Sequence, residues 1–294
     1  MNQASGDISM VRALSGMLKL RITAAVSLTC VVGYILACGS LGWDLLVPTI
    51  GLFLMACASS ALNHWQESQL DEKMERTKSR PISSGLLTES QVLGLSFCLT
   101  FLACIILWLS HLPALWLCLF AMFWYNAIYT PIKRKSAFAV IPGALIGCLP
   151  PLVGWSVGGG EIADFRILSV CFFIFLWQVP HFWLLTLRYQ KEYAVAGYPQ
   201  VTEILRDDQI SRVIFSWISA TVGAALLIPL FRGINFSPTL AVLVLAGMLV
   251  LLLERHLLRF SEVDVDLKRS FMVLNVYALS IVLVVSLDEL LYLS

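Results

Sequence analysis

The chain has 294 residues, of which 59% are hydrophobic and 13% charged, with a formal net charge of +1 at pH 7. Soluble domains carry about a quarter charged residues, so this composition, with a mean hydropathy of +0.82, excludes an ordinary soluble fold. An all-α polytopic membrane protein is expected instead.

Residues 1–20 are polar or mixed and contain no compact apolar core followed by a small-residue cleavage site, so the first span is expected to serve as the anchor. Runs of roughly 18 or more apolar residues are long enough to cross a hydrocarbon core of about 30 Å. Nine follow, near 22–40, 43–63, 91–109, 113–129, 137–157, 165–186, 212–231, 236–253 and 271–291. Each must satisfy its own backbone polar groups as a helix. Short loops between most of them predict one bundle, and residues 1–294 read as a single membrane domain. The eight cysteines (Cys30, Cys38, Cys57, Cys98, Cys104, Cys118, Cys148 and Cys171) all fall within predicted spans without metal-ligand spacing. They read as small apolar packing residues.

With the N-terminus inside, all of the 20 Lys and Arg except Arg166 and Arg232 fall on segments of the same side. Such an alternation predicts a cytoplasmic N-terminus and an odd number of spans. Residues 1–20 are then a cytoplasmic segment, and the two longest connections, 64–90 and 187–211, are cytoplasmic and expected to be functional. Each follows the second helix of a four-helix set, so spans 1–4 and 5–8 read as two parallel halves with a ninth helix appended.

The second span meets no helix breaker until 79–81, so the helix is expected to continue through Asn63, Glu67 and Asp71. Steps of four residues advance about 40° around a helix, which gathers the amide and both carboxylates on one face. Magnesium favours such hard oxygen ligands, often only one or two carboxylates with substrate phosphates completing the shell. Arg76, Lys78 and Arg80 follow at once and can grip a diphosphate. The same stretch also reads as a solvated loop whose basic residues set topology, and in either case Asp71 is expected to be exposed.

Tyr129 to Ser136 contain Lys133, Arg134 and Lys135, a run that suits either a lipid headgroup or anion capture. In the sixth span Pro180 predicts a kink and a cavity. His181 follows between Trp177 and Trp183, either as an interfacial histidine or as a functional one. Arg188, Tyr189, Lys191, Glu192 and Tyr193 then add a second charged edge.

These elements resemble the UbiA-type intramembrane prenyltransferases, and within them the haem-farnesylating branch. The resemblance covers roughly residues 15–285. It rests on Asn63–Glu67–Asp71, DEKMERTKSRP (71–81), YTPIKR (129–134), PPLVGW (150–155), and WQVPHFW with RYQKEYAVAGYP. It implies an enzyme that moves a farnesyl group from farnesyl diphosphate to a vinyl group of haem b, giving haem O for terminal oxidases. Haem b is then a substrate and Mg2+ the cofactor.

By position the resemblance makes Asn63, Glu67 and Asp71 the catalytic first motif. Arg76, Lys78, Arg80, Lys133, Arg134, Arg188 and Lys191 would serve the diphosphate. Glu67, Asp71 and Glu192 are the expected metal ligands, and His181 and His64 the expected haem contacts. Tyr125, Tyr129, Trp177 and Trp183 can face an allylic cation. The first motif carries Glu67 where many relatives have Asp, and the second lacks the aspartates of quinone-type relatives. The resemblance further implies a bacterial cytoplasmic (inner) membrane, or a mitochondrial one, with the site facing the cytoplasm. Haem A synthase or a terminal oxidase would be a partner, and no nucleic acid is expected. The alternatives are a UbiA-type enzyme with a quinone or chlorin acceptor, and a secondary transporter. Charges that cluster at one face, with span centres almost free of ionisable groups, argue against the transporter.

Overall fold

The computed structural model describes residues 13–232, 237–258 and 267–292. Arg12, Arg259, the segment before residue 13 and the side chain of Arg232 lie outside the described residues. Nine helices long and apolar enough to cross a membrane make up most of the described chain. They are α1 Leu20–Cys38, α2 Trp43–Asp71, α3 Glu89–Ser110, α4 Leu112–Ile132, α5 Val140–Val157, α6 Phe165–Arg188, α7 Asp207–Phe231, α8 Pro238–Leu258 and α9 Leu267–Leu291. No strand occurs among the described residues.

Local sequence sets several helix ends. Thr88 and Gln91 form a reciprocal capping box at the start of α3, and Asp164 caps α6 by accepting from the Arg166 amide. Gly39 closes α1 in the left-handed conformation at φ 67°, where a Cβ would be strained. Pro180 lies inside α6, which runs as one helix from Phe165 to Arg188. A cavity opens between the ends of α4 and α6, where Thr186 and Leu187 line it, and residues 198–201.

The helices form a closed ring in which each packs on its neighbour in sequence and α9 returns to α1. Across the ring α1 meets α5 at backbone distance. A Cβ added to Gly154 would sit 1.7 Å from the Cys30 carbonyl oxygen, and one on Gly33 would sit 1.8 Å from that of Pro151. In a membrane such small-residue seams replace the hydrophobic drive that holds soluble helices together. One core gathers Leu52, Met55, Leu107, Cys118 and Val153 from the first five helices. The other gathers Trp155 of α5 with Phe173, Ile218, Leu243 and Leu274 from α6 to α9. Phe97, Phe101, Trp108, Trp116 and Phe123 on α3 and α4 point outward, as a lipid-facing surface requires.

Candidate active site

The helix α2 outlasts the apolar run that defines its span and reaches Asp71, bringing Asn63, Glu67 and Asp71 onto its inner face. All three are buried, at 1%, 5% and 1% exposure. The expectation that Asp71 is exposed is therefore corrected. The chain after α2 folds back over the helix end: Thr77 Oγ1 donates to the Asp71 carbonyl at 3.0 Å, and the Ile82 amide donates to His64 Nε2 at 3.3 Å. That return removes Asp71 from water.

A buried carboxylate needs a compensating partner, and each acid has one. Arg80 Nη1 donates to Asp71 Oδ2 at 2.6 Å, with His64 Nδ1 3.6 Å from the same oxygen. The His64 ring accepts at Nε2, so its proton lies on Nδ1, towards Asp71. Lys133 Nζ lies 2.6 Å from Glu67 Oε1, and the Tyr198 hydroxyl donates to that oxygen at 2.7 Å. Burial and the charge of Glu67 push the Tyr198 phenol well above its ordinary range, which keeps it a donor.

The third member, Asn63, accepts at Oδ1 from Lys19 Nζ at 3.3 Å and from the Tyr125 hydroxyl at 3.2 Å, and its Nδ2 donates to Thr130 Oγ1 at 3.2 Å. Lys19 reaches this point because its backbone is left-handed, at φ 51°, just before α1 begins. Non-glycine residues seldom adopt that conformation, and it gathers at functional sites. Burial and the nearby Arg80 hold the Lys19 ammonium down to about 8. On α4 a π-helical turn, Trp124–Tyr129, aims side chains at α2. Asn126 Nδ2 donates to the Ser59 carbonyl at 3.0 Å and to Gln66 Oε1 at 3.1 Å. The rings of Tyr125 and Tyr129 lie 5.6 Å apart, tilted by 30° to each other, beside the ammoniums of Lys19 and Lys133.

Of the other expected site residues, Arg134 donates to the Gln66 carbonyl and so braces α2. Glu192 accepts from the Arg76 amide at 3.2 Å, which ties the two long connections together, while the Arg76 and Arg188 guanidiniums lie over Tyr189. Lys78 is exposed and paired with Glu75 at 2.5 Å, and Lys191 is exposed. The structure does not bring Glu192 into one set with Glu67 and Asp71, and no group of three His, Cys, Asp or Glu side chains surrounds a common point among the described residues. His181 faces α9 instead, through Asn275 and Phe271, and Trp183 packs on Phe138 and Trp217. Lys19 and Tyr198 join the cluster although neither was expected there. Tyr198 lay within the RYQKEYAVAGYP motif, and Lys19 had no signal beyond its charge.

Two carboxylates one helical turn apart, with an amide beside them, fit a magnesium ion that takes its remaining ligands from water and a diphosphate. Glu67 and Asp71 would hold it. Lys19, Lys133 and Arg80 add three basic groups that suit the anion. A cavity of about 90 Å³ adjoins them, lined by Tyr129, Lys133, Tyr193, Tyr198 and Gln200 among others. It has room for a few water molecules.

Comparison with known proteins agrees with this architecture. The sequence profile of the UbiA prenyltransferase family matches residues 26–277. A protein of Oleidesulfovibrio alaskensis named protoheme IX farnesyltransferase is 35% identical, over 96% of this chain and 98% of its own. One of the same name from Geobacter sulfurreducens is 34% identical, over 72% of this chain and 78% of its own. Among solved structures, a digeranylgeranylglyceryl phosphate synthase superposes with a TM-score of 0.79 at 12% identity, over 95% of this chain and 98% of that one. A UbiA homologue of Archaeoglobus fulgidus, bound to GPP and Mg2+, superposes with a TM-score of 0.69 at 11% identity, over 95% of this chain and 99% of that one. At such low identity these two likenesses speak for the fold alone. The extent of the profile match and the length over which the first relative aligns lead to one conclusion: this chain belongs to the UbiA prenyltransferase family.

Proposed function

We propose that the protein transfers the farnesyl group of farnesyl diphosphate to a vinyl group of haem b, with Mg2+ held by Glu67 and Asp71. The observation that carries the reading is the charge cluster at the end of α2, Glu67 with Lys133 and Asp71 with Arg80. It stands in a chain that aligns along nearly the whole length of a relative named protoheme IX farnesyltransferase.

The bound Mg2+ would supply neutralisation of the leaving diphosphate. Lys133, Arg80 and Lys19 surround the carboxylates and give N–H donors to diphosphate oxygens as charge develops there. Tyr198 orients Glu67, and Asn63 fixes the Lys19 ammonium and the Tyr125 hydroxyl. When the allylic C–O bond breaks, its electron pair leaves with the diphosphate. The π pair of the haem vinyl group forms the new C–C bond, and water captures the resulting cation and loses a proton. Tyr125 and Tyr129 present aromatic faces close to the diphosphate donors and stabilise the allylic cation.

The distribution of Lys and Arg supports a site on the cytoplasmic face with the N-terminus inside, and the bacterial relatives support a bacterial inner membrane. Both long connections serve it, one through Arg80 and the other through Tyr198. The test incubates purified protein with haem b, farnesyl diphosphate and Mg2+ and follows farnesylated haem by mass spectrometry. Product is expected from the wild type, with Glu67→Gln lowering kcat by about 100-fold or more. Farnesylation of a quinone precursor or a chlorin in place of haem would overturn the reading.

A further inference from the structure

Away from the charge cluster, α6 and α9 share a polar contact in aromatic surroundings. His181 Nδ1 lies 2.8 Å from Asn275 Oδ1. Trp177, Phe182 and Phe271 flank the imidazole at ring-centroid distances of 5.0, 5.4 and 4.8 Å. The contact has a definite polarity. Asn275 Nδ2 donates to the Phe271 carbonyl at 2.6 Å, which turns the amide oxygen towards the histidine. An amide oxygen only accepts, so Nδ1 of His181 carries the proton. The neutral ring then holds its lone pair on Nε2, and no hydrogen bond reaches that atom among the described residues. Beside it, the indole N–H of Trp177 is buried without a partner.

We propose that Asn275 is a positioning residue, fixing the tautomer and ring plane of His181 so that Nε2 is an axial ligand of the haem iron while haem is held as substrate. The inference rests on the haem reading above. Histidines that ligate metals donate their other N–H to a fixed acceptor, which sets both tautomer and orientation. A neutral amide raises ligand basicity less than a carboxylate does. The iron bond is correspondingly weaker, which suits a substrate that must leave once it is farnesylated. Because Asn275 sits on α9 and His181 on α6, the ring plane is set by the packing of two helices. The unpartnered Trp177 N–H offers a polar group of the same ligand a donor.

The test uses the full chain in detergent, titrated with haem b and reduced, and follows resonance Raman scattering in the iron–histidine stretching region together with haem affinity. Wild type is expected to show the band and His181→Ala to lose it. Asn275→Asp should keep the band and move it to higher frequency. Asn275→Leu should weaken it and lower haem affinity about tenfold or more, with affinity for farnesyl diphosphate unchanged. If the aspartate variant fails to fold, the apolar leucine variant decides. A purely structural role for Asn275 predicts lower thermal stability with an unmoved band, which would overturn the proposal. Haem bound by the wild type without a histidine band also overturns it and leaves the haem reading standing. A wild type that binds no haem removes both.

Discussion

Replacing Arg80 with methionine keeps most of the side-chain volume but strands the Asp71 carboxylate at 1% exposure. The remaining neighbour, His64 Nδ1, is 3.6 Å away, too far for a good hydrogen bond. Charge centres about 4 Å apart at an effective dielectric of roughly 20 attract by about 4 kcal/mol. Removing one partner of a buried pair costs about 3–5 kcal/mol. Arg80 itself is 20% exposed, and solvent screening brings the expected loss to about 3 kcal/mol. Asp71→Asn alone should also destabilise, since it leaves the guanidinium without its counter-charge. The double variant removes both charges and should recover about 2 kcal/mol relative to the sum of the single variants. Denaturant titration of the purified protein in detergent, followed by tryptophan fluorescence, measures all four corners of the cycle. Single effects that add to within about 0.5 kcal/mol would refute the argument that Arg80 compensates a buried charge.

Lys19 sheds its proton near pH 8 in the folded chain, against an ordinary 10.5. Between those values the folded state binds fewer protons than the unfolded one, so stability should rise with pH across that window and Lys19→Met should flatten the rise; unfolding free energies measured from pH 7.5 to 10 check it. At the α1–α5 seam, Gly154→Ala drives a methyl group into a backbone carbonyl that cannot rotate away and should cost about 1–3 kcal/mol or more. Gly94→Ala, with nothing within 4 Å of the new carbon, should be neutral or stabilising by up to about 1 kcal/mol, and thermal unfolding of both variants makes the comparison.

The bundle was legible because lipid demands long apolar runs, and each of the nine predicted runs has its helix in α1–α9. Helical spacing also foresaw that Asn63, Glu67 and Asp71 share a face. The burial of that face was not legible. It depends on residues 72–87 folding back so that Arg80, Thr77 and Ile82 meet the end of α2, and irregular turns of this kind have no period to read. Lys133, Arg134 and Lys135 look alike in sequence, yet only packing decides that Lys133 meets Glu67 while Arg134 meets the Gln66 carbonyl. Lys19 enters through a backbone conformation that its side chain does not advertise. The partner of His181 stands 94 residues away, beyond any local pattern.

The π-helical turn at Trp124–Tyr129 has a consequence for how this site could have arisen. Such a turn accommodates one residue more than a regular helix would at the same place, and one residue corresponds to about 100° of rotation. Deleting a single residue there would restore an ordinary helix and swing Thr130 and Lys133 about a quarter-turn away from Asn63 and Glu67, with the lipid-facing half of α4 left where it is. The join between scaffold and chemistry in α4 is thus one amino acid wide. A lineage that gained that residue would have turned a plain membrane helix towards α2 in a single insertion, without repacking the bundle around it.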